Sequence, residues 1–489
     1  MRTKLFLVAV TLALLVGCST NPVTGKSEFN LVSEQQELAL GQQAHRDTLD
    51  QFDVYTESPE LTRTVEEIGQ RLAAASDRPD LKWTFTILDT PMVNAMALPG
   101  GYIYITRGML ERMNTEDEVA GVIGHEIAHV TARHATQRIS RAQLAQLGLV
   151  LGAVVAGPEK FEQWGGLAQI GMGLLFQRYS RSQESQADLV GTGYSARARY
   201  NPLGAKKMLQ ALQRLSPEGA TGIERYFMSH PDPAKRVVDV DNKIAELRSA
   251  DPAVTETPME RSPFVRKLDH LATGRSTVST VIRDGVVYEK RHGLVLEFPD
   301  EWAAVTGFGG LFQLSHRQQQ NAQISVDSVA MTQFREYPSP RVAIRKSLEE
   351  SGLTWVAATN ARAKTGERFV IDLYSAKTQQ ATLGVEATQM VSGDRALIFI
   401  EVSPSVPSSQ SPLGNTIAAL SIDKAKASAA KPPRVRLATA RAGDSWRALA
   451  VRATGRAEDA RQIAAINGYD EGDAVPAGIL LKLPEEVAN

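Results

Sequence analysis

The 489-residue chain has little cysteine, little net charge and no long apolar run beyond its N-terminus. Its one cysteine, Cys18, excludes an internal disulfide. A net charge of −1 and the lack of a basic tract argue against nucleic-acid binding. The apolar segment 144–156 is shorter than the roughly 20 residues that a membrane-spanning helix needs. The chain is therefore expected to be globular, and its length exceeds one hydrophobic core.

The N-terminus has the pattern of a secretory signal. Arg2 and Lys4 precede an apolar run over residues 5–16, and residues 15–18 resemble a bacterial lipobox that ends at Cys18. We expect residues 1–17 to be removed and Cys18 to carry lipid. By resemblance to lipoprotein sorting rules, Ser19 indicates the outer membrane of a Gram-negative bacterium. The protein is thus expected in the periplasm, lipid-anchored without spanning the bilayer.

Residues 125–129 form an H-E-x-x-H motif in a segment that is predicted to be helical. Thr115 is a suitable N-cap, and Glu118 follows at the position of a capping box. Because residues four apart share one face of a helix, His125 and His129 can reach the same ion. Glu126 lies close enough to polarise a metal-bound water. The motif indicates a zinc peptidase with one ion per chain.

A catalytic zinc commonly has three protein ligands, so a third is needed. A metzincin plan is excluded because Ala132 and Ala135 stand where Gly and His are required. Glu184 and Asp188 are four apart, which places both carboxylates on one helix face. We predict that Glu184 binds zinc and that Asp188 accepts the other N–H of a liganding histidine.

These motifs together resemble the Ste24/HtpX-type zinc metallopeptidases, a gluzincin family. Within it, the chain is most similar to the BepA-like periplasmic branch, and the resemblance covers about residues 29–247. Besides the zinc motifs, it rests on residues 94–101, on the strand-like segment 102–106, and on residues 229–236. The resemblance implies a zincin-type, mainly α (α+β) domain with endopeptidase activity.

The remaining site residues are predicted from chemistry and from this resemblance. Glu126 is expected to take a proton from water and pass it to the leaving amine. His230, in a loop before a helix, is expected to act at the site, either stabilising the oxyanion or binding zinc as a displaceable fourth ligand. Asn94, Gly101 and Tyr102 are candidates for a strand edge that binds extended polypeptide.

Two apolar segments between the zinc motifs, residues 144–156 and 167–176, are predicted to be core helices that pack on the site. The alternative is a lid, or a surface that touches a membrane or a partner.

The chain is predicted to have three folded domains: the metallopeptidase domain, a middle α+β domain with strands near 322–329, 368–374 and 396–402 and a helix near 339–351, and a small C-terminal domain. The C-terminal segment has a β-α-α-β plan and resembles a LysM module, which implies peptidoglycan binding through the 443–446 and 467–469 regions. The predicted boundaries are signal peptide 1–17, lipidated tether 18–29, metallopeptidase 30–250, linker 251–289, α+β domain 290–424, linker 425–433 and LysM-like domain 434–484.

The predicted function is zinc-dependent hydrolysis of peptide bonds in misfolded or misassembled envelope proteins. Its expected partners are unfolded polypeptides, peptidoglycan and the membrane, without nucleic acid. The alternative is a non-proteolytic chaperone or assembly scaffold for outer-membrane proteins that is tethered to peptidoglycan. The role of the middle domain is left open.

Overall fold

A computed structural model describes residues 18–144, 179–214, 230, 233–273, 277, 279–305, 311–319, 322–377, 382–403 and 412–484. The predicted signal peptide, residues 1–17, and nearly all of the two apolar segments between the zinc motifs lie outside these ranges. Among the described residues, no helix is both long enough and apolar enough to cross a membrane.

The peptidase domain packs helices on both faces of a small sheet. Its helices, in chain order, are α1 Glu34–Gln51, α2 Pro59–Ala74, α3 Arg107–Arg112, α4 Glu116–Thr131, α5 Arg181–Arg197, α6 Leu203–Arg214, α7 Pro233–Ala250 and α8 Arg261–Lys267. Its strands are β1 Cys18–Thr20, β2 Ser27–Phe29, β3 Thr84–Leu88, β4 Ala95–Leu98 and β5 Tyr102–Thr106.

Helix α4 carries the H-E-x-x-H motif and lies in the centre of the domain. Its N-cap is Thr115, as predicted, and the Thr115 hydroxyl accepts a hydrogen bond from the Glu118 N–H at 3.1 Å. The predicted capping box does not form, because the Glu118 carboxylate accepts a hydrogen bond from the Asn114 N–H and not from the N–H of the N-cap residue Thr115. Gly124 lies against Gly191 of α5, where an added Cβ would meet backbone at 2.9 Å. This close approach brings the two ligand-bearing helices together.

The three-stranded sheet has the order β3-β5-β4, with β3 parallel and β4 antiparallel to β5. The segment Tyr102–Thr106 is a strand, as predicted, but it is the central one. A central strand has no free main-chain groups to offer, so the predicted substrate edge cannot be on Tyr102. The outer strands are β3 and β4.

The middle domain begins earlier than predicted, because part of the proposed linker 251–289 is folded. Helix α8 continues the peptidase domain and buries Phe264 and Val265. Strands β6 and β7 belong to the four-stranded sheet of the middle domain. The strands of this domain are β6 Thr280–Arg283, β7 Val286–Glu289, β8 Leu294–Glu297, β9 Trp302–Val305, β10 Phe312–His316, β11 Gln323–Ala330, β12 Thr354–Arg362, β13 Arg368–Lys377, β14 Thr382–Ser392, β15 Arg395–Ser403 and β16 Leu420–Ile422. Its helices are α9 Pro340–Glu350, α10 Pro412–Ala419 and α11 Lys424–Ala429, the last lying in the second predicted linker.

Seven of these strands form an antiparallel sheet in the order β12-β13-β14-β15-β11-β10-β9, and the four-stranded sheet has the order β16-β8-β7-β6. The predicted strands near 322–329, 368–374 and 396–402 coincide with β11, β13 and β15. The predicted helix near 339–351 coincides with α9.

Two buried carboxyl groups face each other across β14 and β15. Glu386 and Glu401 are directly paired in the sheet, and both are almost fully buried. Burial and the neighbouring Glu386 raise the pKa of Glu401 to about 8. Since its pKa in the unfolded chain lies near 4.5, folding favours the protonated form, and stability falls as pH rises from about 4.5 towards 8.

The substitution Glu401→Gln is therefore expected to raise the thermal unfolding midpoint at pH 8 by several degrees, with little change at pH 4.5. Circular dichroism melts at both pH values check this. Glu350→Gln, on an exposed helix end, is the matched control. An equal effect of Glu401→Gln at both pH values would contradict the account.

The C-terminal segment has the element order β-α-α-β: β17 Val435–Thr439, α12 Trp446–Thr454, α13 Ala460–Ile466 and β18 Leu480–Pro484. It has its own small core around Trp446, Leu449 and Ile463. The opposite face of its two-stranded sheet is packed on the peptidase, where Val435 belongs to the peptidase core. Lys482 is fully buried there, and its ammonium donates to the Glu111 and Met113 carbonyls at 2.6 and 2.8 Å. The module and the peptidase therefore form one packed unit.

Residues 18–29 form a hairpin, β1 paired with β2, where the sequence predicted a tether. The Asn21 amide donates to the Glu28 carboxylate at 3.0 Å, and the Gln137 amide donates to the same carboxylate at 2.5 Å. The hairpin is thus attached to the segment that follows α4.

Candidate metal centre

Four side chains converge between α4, α5 and the start of α7. One ligand atom from each of His125, His129, Glu184 and His230 lies within 4.8 Å of the others, and all four residues are buried. His129 Nε2 is 3.1 Å from His125 Nε2 and 3.3 Å from a Glu184 oxygen. His230 Nδ1 is 2.9 Å from both Glu184 oxygens. Three imidazoles and a carboxylate are a donor set that suits zinc.

Asp188 holds the outer ring nitrogen of His125. Its Oδ1 is 2.9 Å from His125 Nδ1, which leaves Nε2 directed at the cluster. Asp188 is itself held by Arg236, whose Nε and Nη2 donate to the two carboxylate oxygens at 2.7 and 2.8 Å. Burial alone would raise the pKa of Asp188, but Arg236 and His125 hold it below its usual value. The carboxylate therefore stays charged and fixes the His125 tautomer.

His134 contacts the outer ring nitrogen of His129, as Asp188 contacts that of His125. Its Nδ1 is 2.9 Å from His129 Nδ1, and its Nε2 is 3.1 Å from the Gln186 amide oxygen. Burial lowers the pKa of His134 to about 4, so the ring is neutral near pH 7. A neutral imidazole can complete a hydrogen bond with His129 without adding charge beside the metal site.

Glu126 faces the cluster from the next position on α4. It is 1% exposed, and its Oε1 has no hydrogen-bond partner within the part of the chain that the structure describes. Burial raises its pKa, against the opposing influence of His230 and His125. A buried carboxylate with a raised pKa and a free oxygen is suited to accept a proton.

The outer strand β4 runs beside the cluster. Ala97, Leu98 and Pro99 line a gap of about 10 Å³ whose other wall includes His129 and Tyr179. Asn94 directly precedes this strand, and its N–H donates to the Thr106 hydroxyl at 3.0 Å. Gly101 and Tyr102 are at the start of the central strand instead.

Tyr179 closes the space beside His129. Its ring stacks on the His129 ring with centroids 3.9 Å apart, and the Arg138 guanidinium lies 4.5 Å from its centroid. Burial raises the pKa of Tyr179 to about 12, so the phenol is neutral at physiological pH.

Comparison with known proteins finds a family model that matches this region. Residues 59–244 match Peptidase family M48. The matched segment begins at the first residue of α2 and ends within α7, so it contains all four residues of the cluster.

Several curated proteins are similar to the same part of the chain. The mitochondrial metalloendopeptidase OMA1 of Schizosaccharomyces pombe is 28% identical over 232 residues, 46% of this chain and 66% of that protein. OMA1 of Arabidopsis thaliana is 34% identical over 167 residues, 34% of this chain and 32% of that protein. The putative beta-barrel assembly-enhancing protease of Vibrio cholerae is 30% identical over 231 residues, 45% of this chain and 46% of that protein. The chain thus spans less than two thirds of each of these relatives.

For the peptidase domain, these matches confirm the predicted enzyme class, a metalloendopeptidase, and the predicted metal, zinc. The family match ends at residue 244 and therefore includes neither the middle domain nor the C-terminal module. The activity and substrates of the whole chain are therefore proposed below.

The structure adds three site residues that the sequence analysis did not assign. Arg236 was noted only as part of a motif, yet it binds Asp188 and lies 3.1 Å from Glu184. His134 is one position before Ala135, where a metzincin has its third histidine ligand, so its spacing alone predicts no role at the metal. Tyr179 has no sequence signal of its own; it directly precedes Ser180, the N-cap of α5, and its ring stacks on His129.

The substitution Asp188→Asn is expected to weaken zinc binding by about 10- to 100-fold, because the His125 tautomer is no longer fixed by a charged acceptor. Competition with a chelating dye, read out as zinc affinity, checks this. Asp50→Asn, on the exposed end of α1, is the control and should bind zinc like the wild type. Unchanged affinity in Asp188→Asn would contradict the role of Asp188.

Proposed function

We propose that this protein is a zinc-dependent endopeptidase of the periplasm that cleaves misfolded or misassembled envelope proteins. The observation that supports this best is the buried cluster of His125, His129, Glu184 and His230. Beside it lies Glu126, whose Oε1 has no hydrogen-bond partner among the described residues. The name of the Vibrio cholerae relative, a beta-barrel assembly-enhancing protease, supports substrates in outer-membrane assembly.

In the proposed mechanism, His125, His129 and Glu184 would hold the zinc, which when bound would act as a Lewis acid that lowers the pKa of water and polarises the scissile carbonyl. Glu126 accepts the proton of the attacking water at its free Oε1 and donates it to the leaving nitrogen. Asp188 and His134 keep Nε2 of the two ligand histidines directed at the site. Strand β4, the outer strand nearest the cluster, is the edge along which an extended substrate would pair.

His230 lies inside the ligand cluster, not beside it. Its Nδ1 is 3.3 Å from His125 Nε2 and 2.9 Å from Glu184. Of the two predicted roles, this position favours the second: His230 is a displaceable fourth ligand that occupies the place of the attacking water, rather than an oxyanion donor. We therefore propose that the resting enzyme is latent.

If His230 holds the enzyme latent, His230→Ala should cleave an unfolded protein such as casein several-fold faster than the wild type, at equal zinc content. A fluorogenic casein assay with parallel metal analysis checks this. His270→Ala removes an exposed histidine and is the control. A lower rate in His230→Ala, with zinc retained, would instead support the oxyanion role.

We further propose that Cys18 carries lipid and that the C-terminal module binds peptidoglycan as a LysM-like domain. The β-α-α-β order supports the second proposal. Within the predicted sugar-binding regions, Trp446 and Asn467 are buried and bonded internally, so they do not offer side chains to a sugar. Ser445 is exposed and Tyr469 is half-buried.

Point variants test peptidoglycan binding better than deletion, because the module packs on the peptidase. We expect Tyr469→Ala to lower the fraction of protein that sediments with purified peptidoglycan, and circular dichroism checks that the variant is folded. Val451→Ala, on an exposed face of α12, is the control. If wild type does not sediment, the LysM-like assignment is wrong.

A further inference from the structure

The middle domain contains a cleft that shares no residue with the metal cluster. Its volume is about 510 Å³, within the roughly 300–1,000 Å³ that is typical of sites for small molecules. Leu314 and Ile324 of the seven-stranded sheet form one wall. Thr416 and Ala419 of helix α10 form another, and Trp302 of the outer strand β9 lines the cleft as well. The cleft therefore offers a ligand mainly apolar surface.

Charges at the rim of the cleft largely balance one another. Glu297 and Glu301 line it, and both are exposed. The Lys364 ammonium donates to the Glu297 carboxylate at 2.6 Å. Arg317 contacts Glu301 and Trp302, since its N–H donates to the Glu301 carbonyl at 2.7 Å and its Nε donates to the Trp302 carbonyl at 3.4 Å. Selection of a ligand by charge therefore depends on groups deeper in the domain.

Two buried carboxyl groups lie beside the sheet wall of the cleft. Glu401 of β15 is paired with Ile324 of β11 on one side and with Glu386 of β14 on the other. Side chains of directly paired residues in antiparallel strands share one face of the sheet, with Cβ atoms about 5 Å apart. Because Ile324 lines the cleft, Glu401 lies next to the cleft wall and Glu386 lies one strand beyond it.

A contact with helix α10 fixes which face of the sheet these carboxyl groups occupy. The Leu413 N–H, in the first turn of α10, donates to a Glu386 oxygen at 2.9 Å. The same helix forms a wall of the cleft. Glu386 and Glu401 therefore lie between the sheet and α10, at the inner end of the cleft. The N-terminus of the helix favours the charged form of Glu386.

Glu401 lacks the partner that a buried carboxyl group needs. It is 2% exposed, and the neighbouring Glu386 is 1% exposed. The Oε2 atom of Glu401 has no hydrogen-bond partner in the part of the chain that the structure describes. Burial and Glu386 raise the pKa of Glu401, and no basic group of the described ranges opposes them. Buried polar groups nearly always have a partner, so an exception points to a bound ion, water or ligand.

We propose that this cleft binds a small organic cation with an apolar body, whose ammonium group donates to Glu401 and Glu386. The sheet wall and Trp302 accommodate the apolar body, and an aromatic face also attracts a cation. The N–H groups of the ligand give Glu401 Oε2 a partner, and its positive charge offsets the repulsion between two adjacent carboxyl groups. The site belongs to the middle domain and does not depend on the proposed peptidase activity.

Fluorescence titration of the full-length protein tests the site without catalysis. The probe is dansylcadaverine, which carries a primary ammonium group on an apolar fluorophore. N-pentyl dansylamide has nearly the same shape and no charge. We expect dansylcadaverine to bind about tenfold more tightly than the uncharged probe, the gain of a hydrogen bond to a charged group. Equal affinity for both probes, or no binding of either up to its solubility limit, would overturn the proposal.

The substitution Glu401→Gln tests the carboxyl group, because it keeps the size of the side chain and removes the charge. We expect this variant to bind dansylcadaverine only as well as the wild type binds the uncharged probe. Glu350→Gln, the same change on an exposed helix end, is the matched control and should bind both probes like the wild type. A full preference for dansylcadaverine in Glu401→Gln would show that Glu401 does not hold the ligand.

A second pair of variants tests where the probe binds. Ala419→Phe places a ring in the cleft and should abolish binding of both probes. Ala418→Phe adds the same ring on an exposed position of the same helix and should bind both probes like the wild type. Circular dichroism checks that the two variants are folded. Unchanged binding by Ala419→Phe would place the probe outside the cleft and contradict the proposal.

Discussion

Replacing Glu126 with glutamine is expected to reduce the cleavage rate of unfolded protein by about 10²- to 10⁴-fold, the contribution of a positioned general base. Glutamine keeps the size of the side chain but cannot accept the proton of the attacking water. Because Glu126 is not one of the four clustered ligand residues, zinc content should stay at one ion per chain. The comparison is best made in the His230→Ala background, where the proposed latency is removed.

The matched control is Glu67→Gln, the same chemical change on an exposed position of α2. It should leave both rate and zinc content as in the wild type. If Glu126→Gln cleaves as fast as its parent, Glu126 is not the base. If the parent itself cleaves nothing, even with His230 replaced, a non-proteolytic scaffold with a structural zinc becomes the better account.

Deleting residues 434–489 is expected to destabilise the peptidase domain, not merely to remove a binding module. The deletion takes Val435 and Ala465 from the peptidase core and leaves the Glu111 and Met113 carbonyls without the Lys482 ammonium. It also removes the Asn467 oxygens that bind Arg261 at 2.7 and 3.0 Å. Each buried group left without a partner costs about 1–3 kcal/mol.

Together these losses are a large part of a total stability of about 5–15 kcal/mol. We expect the truncated protein to be insoluble, or its unfolding midpoint to drop by roughly 10 °C. Calorimetry of the full chain and the truncated chain checks this. A milder variant, Lys482→Met, should lower the midpoint by several degrees, whereas Lys431→Met on an exposed position should not. An unchanged unfolding midpoint after truncation would show that the peptidase domain is stable without the C-terminal module, as the predicted domain boundaries imply.

The sequence predicted the metal cluster because local periodicity determines it. His125 and His129 share a helix face, and so do Glu184 and Asp188, so each pair needs only its own helix to be placed correctly. The strand Tyr102–Thr106 was found for the same reason, from its alternating pattern. Pairing between strands is not local, however, and the central position of that strand could not be read from its own residues.

Contacts between distant segments explain the other differences. Nothing in the sequence around Lys482 indicates that its ammonium would be buried against carbonyls 369 and 371 residues earlier. The two predicted linkers have the composition of connectors, yet parts of them fold because neighbouring elements cover Phe264 and Ala427. Arg133 donates to the Ser19 hydroxyl, the Val32 carbonyl and the Glu37 carboxylate, contacts that exist only once these distant segments are folded together.

The central claim is that one zinc ion is held by His125, His129 and Glu184. The most direct test is a crystal structure of the zinc-loaded protein with anomalous diffraction recorded at the zinc absorption edge. One peak per chain is predicted within bonding distance, about 2.0–2.2 Å, of the two Nε2 atoms and a Glu184 oxygen. A structure without a peak at this cluster, from protein that retains zinc, would contradict the account.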